Sequence, residues 1–190
     1  IKLTSHFNET KPDVVIHLAA QALVRESYKN PITTFETNVM GTLNVMKASQ
    51  QLRDLKAQLI ITTDKVYKNI NKKSGYVETE ALGGQDPYSA SKAMADIAAQ
   101  SWLSSFGNPP TAIARAGNVI GGGDICADRL IPDLIQSYSS GLKPKLRAPN
   151  SIRPWQHVLD CLNGYLILID GVLAGTSEGA WNFGPKENQN

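Results

Sequence analysis

Residues 57–65 read Ala-Gln-Leu-Ile-Ile-Thr-Thr-Asp-Lys, and residues 87–92 read Pro-Tyr-Ser-Ala-Ser-Lys. The first stretch predicts a buried strand over 57–62 that delivers Thr63, Asp64 and Lys65 at its carboxyl end. The second opens a helix, predicted over 87–106, with Pro87 near its start. Tyr88 and Lys92 stand at i and i+4, so they share one face of that helix. An ammonium held near a phenol favours the phenolate, so Lys92 is expected to lower the Tyr88 pKa from its reference value of about 10. Tyr88 is then a candidate base toward a sugar or alcohol hydroxyl, with the Thr63 hydroxyl sharing the same hydrogen bond. Asp64 and Lys65 add a second acid/base pair, which simple alcohol oxidation does not require.

Outward from this pair, a strand is predicted over 13–19, a helix over 31–53, a polar loop over 68–86 and a strand over 111–119. Phe35, Val39, Leu43 and Met46 lie at helical spacing in the first helix, and Met94, Ile97, Ala98 and Trp102 form the apolar stripe of the second. Strands alternating with helices predict an α/β fold, a doubly wound parallel sheet with right-handed crossovers. Ligands of such sheets bind at the carboxyl ends of the strands. His17-Leu18-Ala19-Ala20, Thr63-Asp64-Lys65 and Arg115-Ala116-Gly117-Asn118 all fall there. After residue 124 come a helix over 128–139, a short basic strand over 143–147 and the segment Arg153-Pro154-Trp155-Gln156-His157. The chain is thus read as a main domain over 1–124 and, over 125–190, a smaller substrate lobe with segments returning to the sheet.

Basic and acidic residues are interspersed and the net charge is +2, which leaves no electrostatic footprint for nucleic acid. No apolar run approaches the roughly 20 residues of a membrane span. Cys126 and Cys161 match no disulfide or metal pattern and read as reduced thiols of a cytoplasmic protein. His6, His17 and His157 share no metal spacing, and no metal site is expected. Gly121-Gly122-Gly123 suggests a phosphate loop, but Gly123-Asp124 stands where Lys-Ser/Thr is needed, so it reads as a turn. The chain opens on Ile1 and closes in polar residues after Asn182-Phe183-Gly184-Pro185, which predicts an internal piece of a longer protein.

The Tyr-x-x-x-Lys helix after a strand ending in threonine resembles the short-chain dehydrogenase/reductase family. His17-Leu18-Ala19-Ala20, Asn38-Val39-Met40-Gly41-Thr42 and Arg115-Ala116-Gly117-Asn118-Val119 extend the resemblance to its extended, nucleotide-sugar-modifying branch. Within that branch, Thr63-Asp64-Lys65-Val66-Tyr67, Asp128-Arg129-Leu130-Ile131-Pro132-Asp133 and Arg153-Pro154-Trp155-Gln156-His157-Val158 look like the 4,6-dehydratases of CDP-glucose. Tyr-x-x-x-Lys alone is a weak signal; the ordered set, spread over essentially the whole chain, is a specific one.

The resemblance implies a Rossmann-type sheet lacking its first strand-helix unit, followed by part of a small substrate-binding lobe. The Gly-x-x-Gly-x-x-Gly turn and the acidic residue that meets the adenosine ribose are absent from the sequence. Also by resemblance, NAD is the cofactor, held by Leu18, Ala19, Ala20, Asn38, Thr62, Tyr88, Lys92 and Arg115, with Lys92 on the nicotinamide ribose. Thr63, Asp64, Lys65, Tyr88 and Lys92 are the implied catalytic set. Gln21, Asn118, Arg129, Leu130, Arg147 and Arg153 are the implied substrate contacts, Arg153 gripping the diphosphate with a planar fork. The implied substrate is a nucleotide sugar, CDP-glucose, its base resting on resemblance alone against dTDP or GDP.

Two departures stand out. Ile125-Cys126 replaces an aromatic start after Gly-Gly-Asp, and Lys65 stands where related sugar dehydratases carry glutamate, so it has to act as a neutral amine. Two further readings stand beside dehydration. A nucleotide-sugar 4-epimerase uses the same Tyr88, Lys92 and NAD but has no need of Asp64-Lys65. A non-catalytic nucleotide-sugar-binding scaffold needs none of Thr63, Tyr88 and Lys92. The helices at 31–53 and 87–106 carry apolar residues beyond what one sheet face covers. Their family equivalents pair as a four-helix bundle, which predicts a homodimer.

Overall fold

The structure is a computed structural model and describes residues 2–72 and 74–185. Helix α1 (Lys2–Thr10) leads into strand β1 (Val14–His17) and the short helix α2 (Val24–Lys29). One continuous helical run follows, made of α3 (Pro31–Phe35), a π-helical turn (Glu36–Met40) and α4 (Gly41–Gln50). Strand β2 (Ala57–Thr63) ends in a 3-10 turn (Asp64–Val66). Helix α5 (Pro87–Phe106), strands β3 (Thr111–Ala116) and β4 (Val119–Ile120) and helix α6 (Leu130–Ser139) come next. Strand β5 (Gln156–His157), helix α7 (Val158–Leu173) and strand β6 (Gly179–Phe183) complete the order.

The strands β1-β2-β3-β6 form one all-parallel sheet in that spatial order, as a Rossmann-type fold requires. Register sets Thr63 level with Ala116, and Ala116 level with Phe183, so the functional strand ends share one edge. β2 and β3 are buried along their lengths except at Ile61, because helices cover both faces. On one face Leu59, Ala112 and Ala114 pack against Cys161, Tyr165, Leu168 and Ile169 of α7. On the other, Ile60 and Ile113 meet Met46 of α4 and Ala99 of α5. Cutting Leu59 or Met46 to alanine in such a layer costs about 2–5 kcal/mol. Polar residues inside the sheet are paired: Gln58 donates to Ser49 Oγ at 2.9 Å, and Thr111 Oγ1 donates to Gln58 Oε1 at 3.3 Å.

Helix α5 has a clear start and stop. Asp86 caps it by accepting from the Ser89 N–H at 3.0 Å, Pro87 takes the first turn, and Gly107 at φ +64° closes it. Its buried face is Ser91, Lys92, Ala95, Asp96 and Ala99, whereas Met94 and Ile97 of the expected stripe are about half exposed. The sequence spacing selects the outer apolar face, because the sheet-facing side carries small and charged residues.

Four other expectations are corrected. Residues 143–147 form no strand: Pro144 removes a donor and no strand lies beside them. The helix expected from 128 begins at Leu130. The strand expected to run to 119 stops at Ala116, and Val119–Ile120 pairs separately with Gln156–His157. The helix expected over 31–53 contains the π turn and ends at Gln50. No described helix is long and apolar enough to cross a membrane.

Candidate active site

The edge of β2 builds the centre of the site. Thr63, in extended backbone, caps the 3-10 turn: its hydroxyl accepts from the Lys65 N–H at 3.4 Å and donates to Asp64 Oδ1 at 3.0 Å. Val66 is fully buried and anchors the turn. The first turns of α5 face it. The Tyr88 N–H donates to Ser27 Oγ at 3.1 Å, and Lys92 Nζ donates to the Ile61 carbonyl at 2.8 Å. Lys65 Nζ stands 5.7 Å from the centre of the Tyr88 ring. Thr63, Asp64, Lys65, Tyr88 and Lys92 are thus gathered where one strand end meets one helix start.

Electrostatics departs from the sequence expectation. Burial raises the Tyr88 pKa, the Thr63 hydroxyl and the Arg129 charge oppose the rise, and Asp64 adds to it. Lys92 does not depress the phenol, because its ammonium is turned toward strand β2. Burial brings Lys92 itself down to about 8, with Asp96 pulling the other way. Burial also raises Asp64, offset by the Thr63 hydrogen bond and by the charges of Lys65 and Arg153. His17, at the end of β1, is lowered to about 4 by burial and by Lys92. The Thr42 hydroxyl gives its hydrogen to Asn38 O at 2.7 Å, so it accepts from His17 Nε2–H at 3.1 Å.

After β1, Leu18 and Ala19 are open to solvent and Ala20 is half-buried, an apolar shelf at the strand end. Asn38 sits in the π turn and ties this shelf to α5: it accepts from the Gln21 N–H at 2.8 Å and donates to Ser91 Oγ at 2.8 Å. Gln21 closes on its own loop, donating to Thr34 Oγ1 at 2.9 Å and accepting from the Leu23 N–H at 2.6 Å. The carboxamides of Asn38 and Gln21 therefore support the crevice from behind.

Arg115, expected at the cofactor, is turned inward and its side chain is 1% exposed. Its Nε and NH2 donate to the two Asp96 oxygens at 2.8 Å each, and NH1 donates to Tyr67 OH and to Glu78 O at 2.9 Å each. Thr62, also expected at the cofactor, donates to Asp96 Oδ2 at 3.0 Å. A buried guanidinium needs such a partner, and removing one member of the pair costs about 3–5 kcal/mol by stranding the other. Sequence reasoning missed Asp96 and Tyr67. Asp96 continues the Tyr88, Lys92 spacing by one more helical turn, and a charge inside a buried strand demands a partner.

Three arginines expected at the substrate lie in the segment after β4. Arg153 is exposed and close enough to Asp64 for its charge to be felt there. Its segment is fixed by Pro154, which packs on Gly117 so tightly that a Cβ there would lie 2.4 Å from Pro154 Cγ. Asn118 is half-buried beside it, and its carbonyl accepts from the Gln156 N–H at 3.0 Å. Arg129 pairs with Asp124 at 3.0 Å and Arg147 with Asp128 at 3.4 Å, both exposed, with Leu130 open at the start of α6. Asp128 also pairs with Arg25 of α2 at 2.9 Å, a contact that the sequence did not signal. Among the described residues no group of three or more His, Cys, Asp or Glu side chains is arranged to hold a metal.

Comparison with known proteins places the chain in a family. Residues 2–174 match the family described as GDP-mannose 4,6 dehydratase. The chain is 47% identical over 197 residues to a CDP-glucose 4,6-dehydratase of Salmonella typhimurium, covering 98% of this chain and 55% of that protein. Its fold superposes with TM-score 0.84 on the dTDP-glucose 4,6-dehydratase of Streptomyces venezuelae solved with NAD, at 25% identity over 99% of this chain and 56% of that one. A UDP-glucose 4-epimerase of Thermus thermophilus solved with NAD gives the same score at 26% identity, over 98% and 61% of the two chains. The chain spans about half the length of the curated relatives it matches.

Proposed function

The chain belongs to the GDP-mannose 4,6 dehydratase family, and on that premise we propose that the full-length enzyme dehydrates a nucleotide-activated glucose, CDP-glucose, to its 4-keto-6-deoxy product. The observation that carries this is the second acid/base pair. Asp64 and Lys65 sit against Tyr88, on the turn that Thr63 caps, where an epimerase has no use for them. The chemistry follows from their placement. Tyr88, aided by Thr63, takes the proton of the C4 hydroxyl as C4 gives up its hydride, so that C4 becomes a ketone. That ketone acidifies the C5 hydrogen, which Lys65 removes. Asp64, whose proton is favoured by burial, gives it to the departing C6 hydroxyl as water. Arg153 grips the diphosphate, with Arg129, Arg147 and Asn118 at the rim.

NAD fits the residues present: an open apolar shelf at Leu18–Ala20 lies beside Lys92 and His17 at the strand ends. When bound, it supplies a reversible hydride acceptor, so the sugar is oxidised and then reduced with none consumed. Lys92, buried and with its pKa brought down to about 8, orients the ribose next to Tyr88.

Full-length enzyme given CDP-glucose is expected to yield a product that absorbs in alkali, without net reduction of added NAD. Simple inversion at C4 with no such product would establish the epimerase instead, a reading that the Thermus thermophilus neighbour keeps in view. The outer faces of α3, the π turn and α5 expose Ile32, Met40, Met94, Ile97 and Phe106, and we assign them to a homodimer contact. The free thiols Cys126 and Cys161 suit a cytoplasmic location.

A further inference from the structure

Asp96, Arg115 and Tyr67 form a buried brace that meets the catalytic turn from both sides. Before the turn, Thr62 donates to Asp96 Oδ2 at 3.0 Å. After it, Tyr67 OH accepts from Arg115 NH1 at 2.9 Å and donates to Asn182 Oδ1 of β6 at 2.6 Å. Arg115 joins the two halves, because its fork holds both oxygens of Asp96 while NH1 reaches Tyr67. Asp96 lies one helical turn beyond Lys92, so the brace also fixes the separation between the turn and α5. The ring of Tyr67 stacks on Tyr76 at 5.1 Å, which holds it independently of its hydroxyl.

The redox end of α5 has supports of its own. Asp86 caps the helix, Ser27 accepts from the Tyr88 N–H, Asn38 donates to Ser91, and Ile61 O receives Lys92. Asp64 and Lys65 ride on a three-residue turn whose entry and exit both lead to the brace. Loosening it displaces that turn more than it displaces Tyr88 or Lys92.

We propose that Tyr67 and Arg115 are positioning residues of the elimination step, holding Asp64 and Lys65 at their working distance from Tyr88 through Asp96. This rests on the dehydratase reading above. The decisive variant is Tyr67→Phe in the full-length enzyme, which keeps the stacked ring and removes only the hydroxyl. C4 oxidation, followed as near-ultraviolet absorbance in a single turnover, is expected to stay within about two-fold of the parent, while exchange of the C5 hydrogen with solvent and release of water slow roughly ten- to hundred-fold, the scale of a small misplacement. Arg115→Lys keeps the charge and loses the fork, and is expected to give the same split. Thermal unfolding of Tyr67→Phe, measured alongside, is expected to move little. Equal slowing of both steps, or an unchanged elimination rate, in a Tyr67→Phe enzyme whose parent dehydrates overturns the proposal alone. A parent that only inverts C4 overturns the dehydratase reading and the proposal with it.

Discussion

Lys92 Nζ donates to the Ile61 carbonyl at 2.8 Å, so the lysine hangs from strand β2 and not from the Tyr88 phenol one helical turn before it. The two residues share a face of α5 but not a hydrogen bond. Burial therefore governs both: it raises the phenol and lowers the amine, the latter to about 8.

Replacing Tyr88 by Phe in the full-length enzyme is expected to abolish C4 oxidation and leave NAD affinity nearly intact. Turnover within a few-fold of the parent would remove Tyr88 from the role of base.

The double change Asp64→Asn, Lys65→Met separates elimination from oxidation. Reduced cofactor is expected to accumulate on the enzyme after substrate is added, with water loss blocked. C5 hydrogen exchange is expected to fail most completely with Lys65→Met alone. Release of 4-keto-6-deoxy sugar at the parental rate would show that other groups do this chemistry.

Arg153→Ala is expected to weaken nucleotide-sugar binding by roughly 2–3 kcal/mol, the scale of a charge-assisted contact. It also removes a charge that lowers the Asp64 pKa, so Asp64 is expected to titrate higher in the variant. Calorimetric binding of the nucleotide sugar at two pH values measures both effects.

His17 gives a stability signature with a definite sign. Unfolded, it takes a proton near the ordinary histidine value of 6.5; folded, only near 4. Between these values the unfolded chain binds more protons, so stability falls as pH drops from 6.5 toward 4 and is unaffected above 6.5. The full effect is at most about 3 kcal/mol, since each pH unit separating the folded and unfolded values is worth about 1.36 kcal/mol. Urea unfolding across that window is expected to show the slope in the parent and a flatter profile in His17→Asn.

Much of the frame is legible in the sequence. β2 and β3 are short apolar runs, α5 has Asp86, Pro87 and Gly107 at its ends, and the polar clusters after β1, β2 and β3 do meet at one edge. Other features leave no local trace. The π turn contains neither Gly nor Pro in Glu36–Met40, and its apolar spacing suits an ordinary helix. Helix α7 does not stand out, because Val158–Leu173 is apolar nearly all round: Leu159, Leu166 and Ile167 are exposed while Cys161, Tyr165 and Leu168 are buried. Helical spacing places Lys92 beside Tyr88 but does not say which acceptor its ammonium chooses. The Arg115–Asp96 pair spans a helix and a strand, so only the buried charge itself hints at it.

The contact of Gly117 with Pro154 makes position 117 a mechanical coupling. With no room for even a methyl group, the residue that follows β3 is in van der Waals contact with Pro154, next to Arg153. Any side chain at 117 would have to push Pro154, and the Arg153 next to it, away from the end of β3.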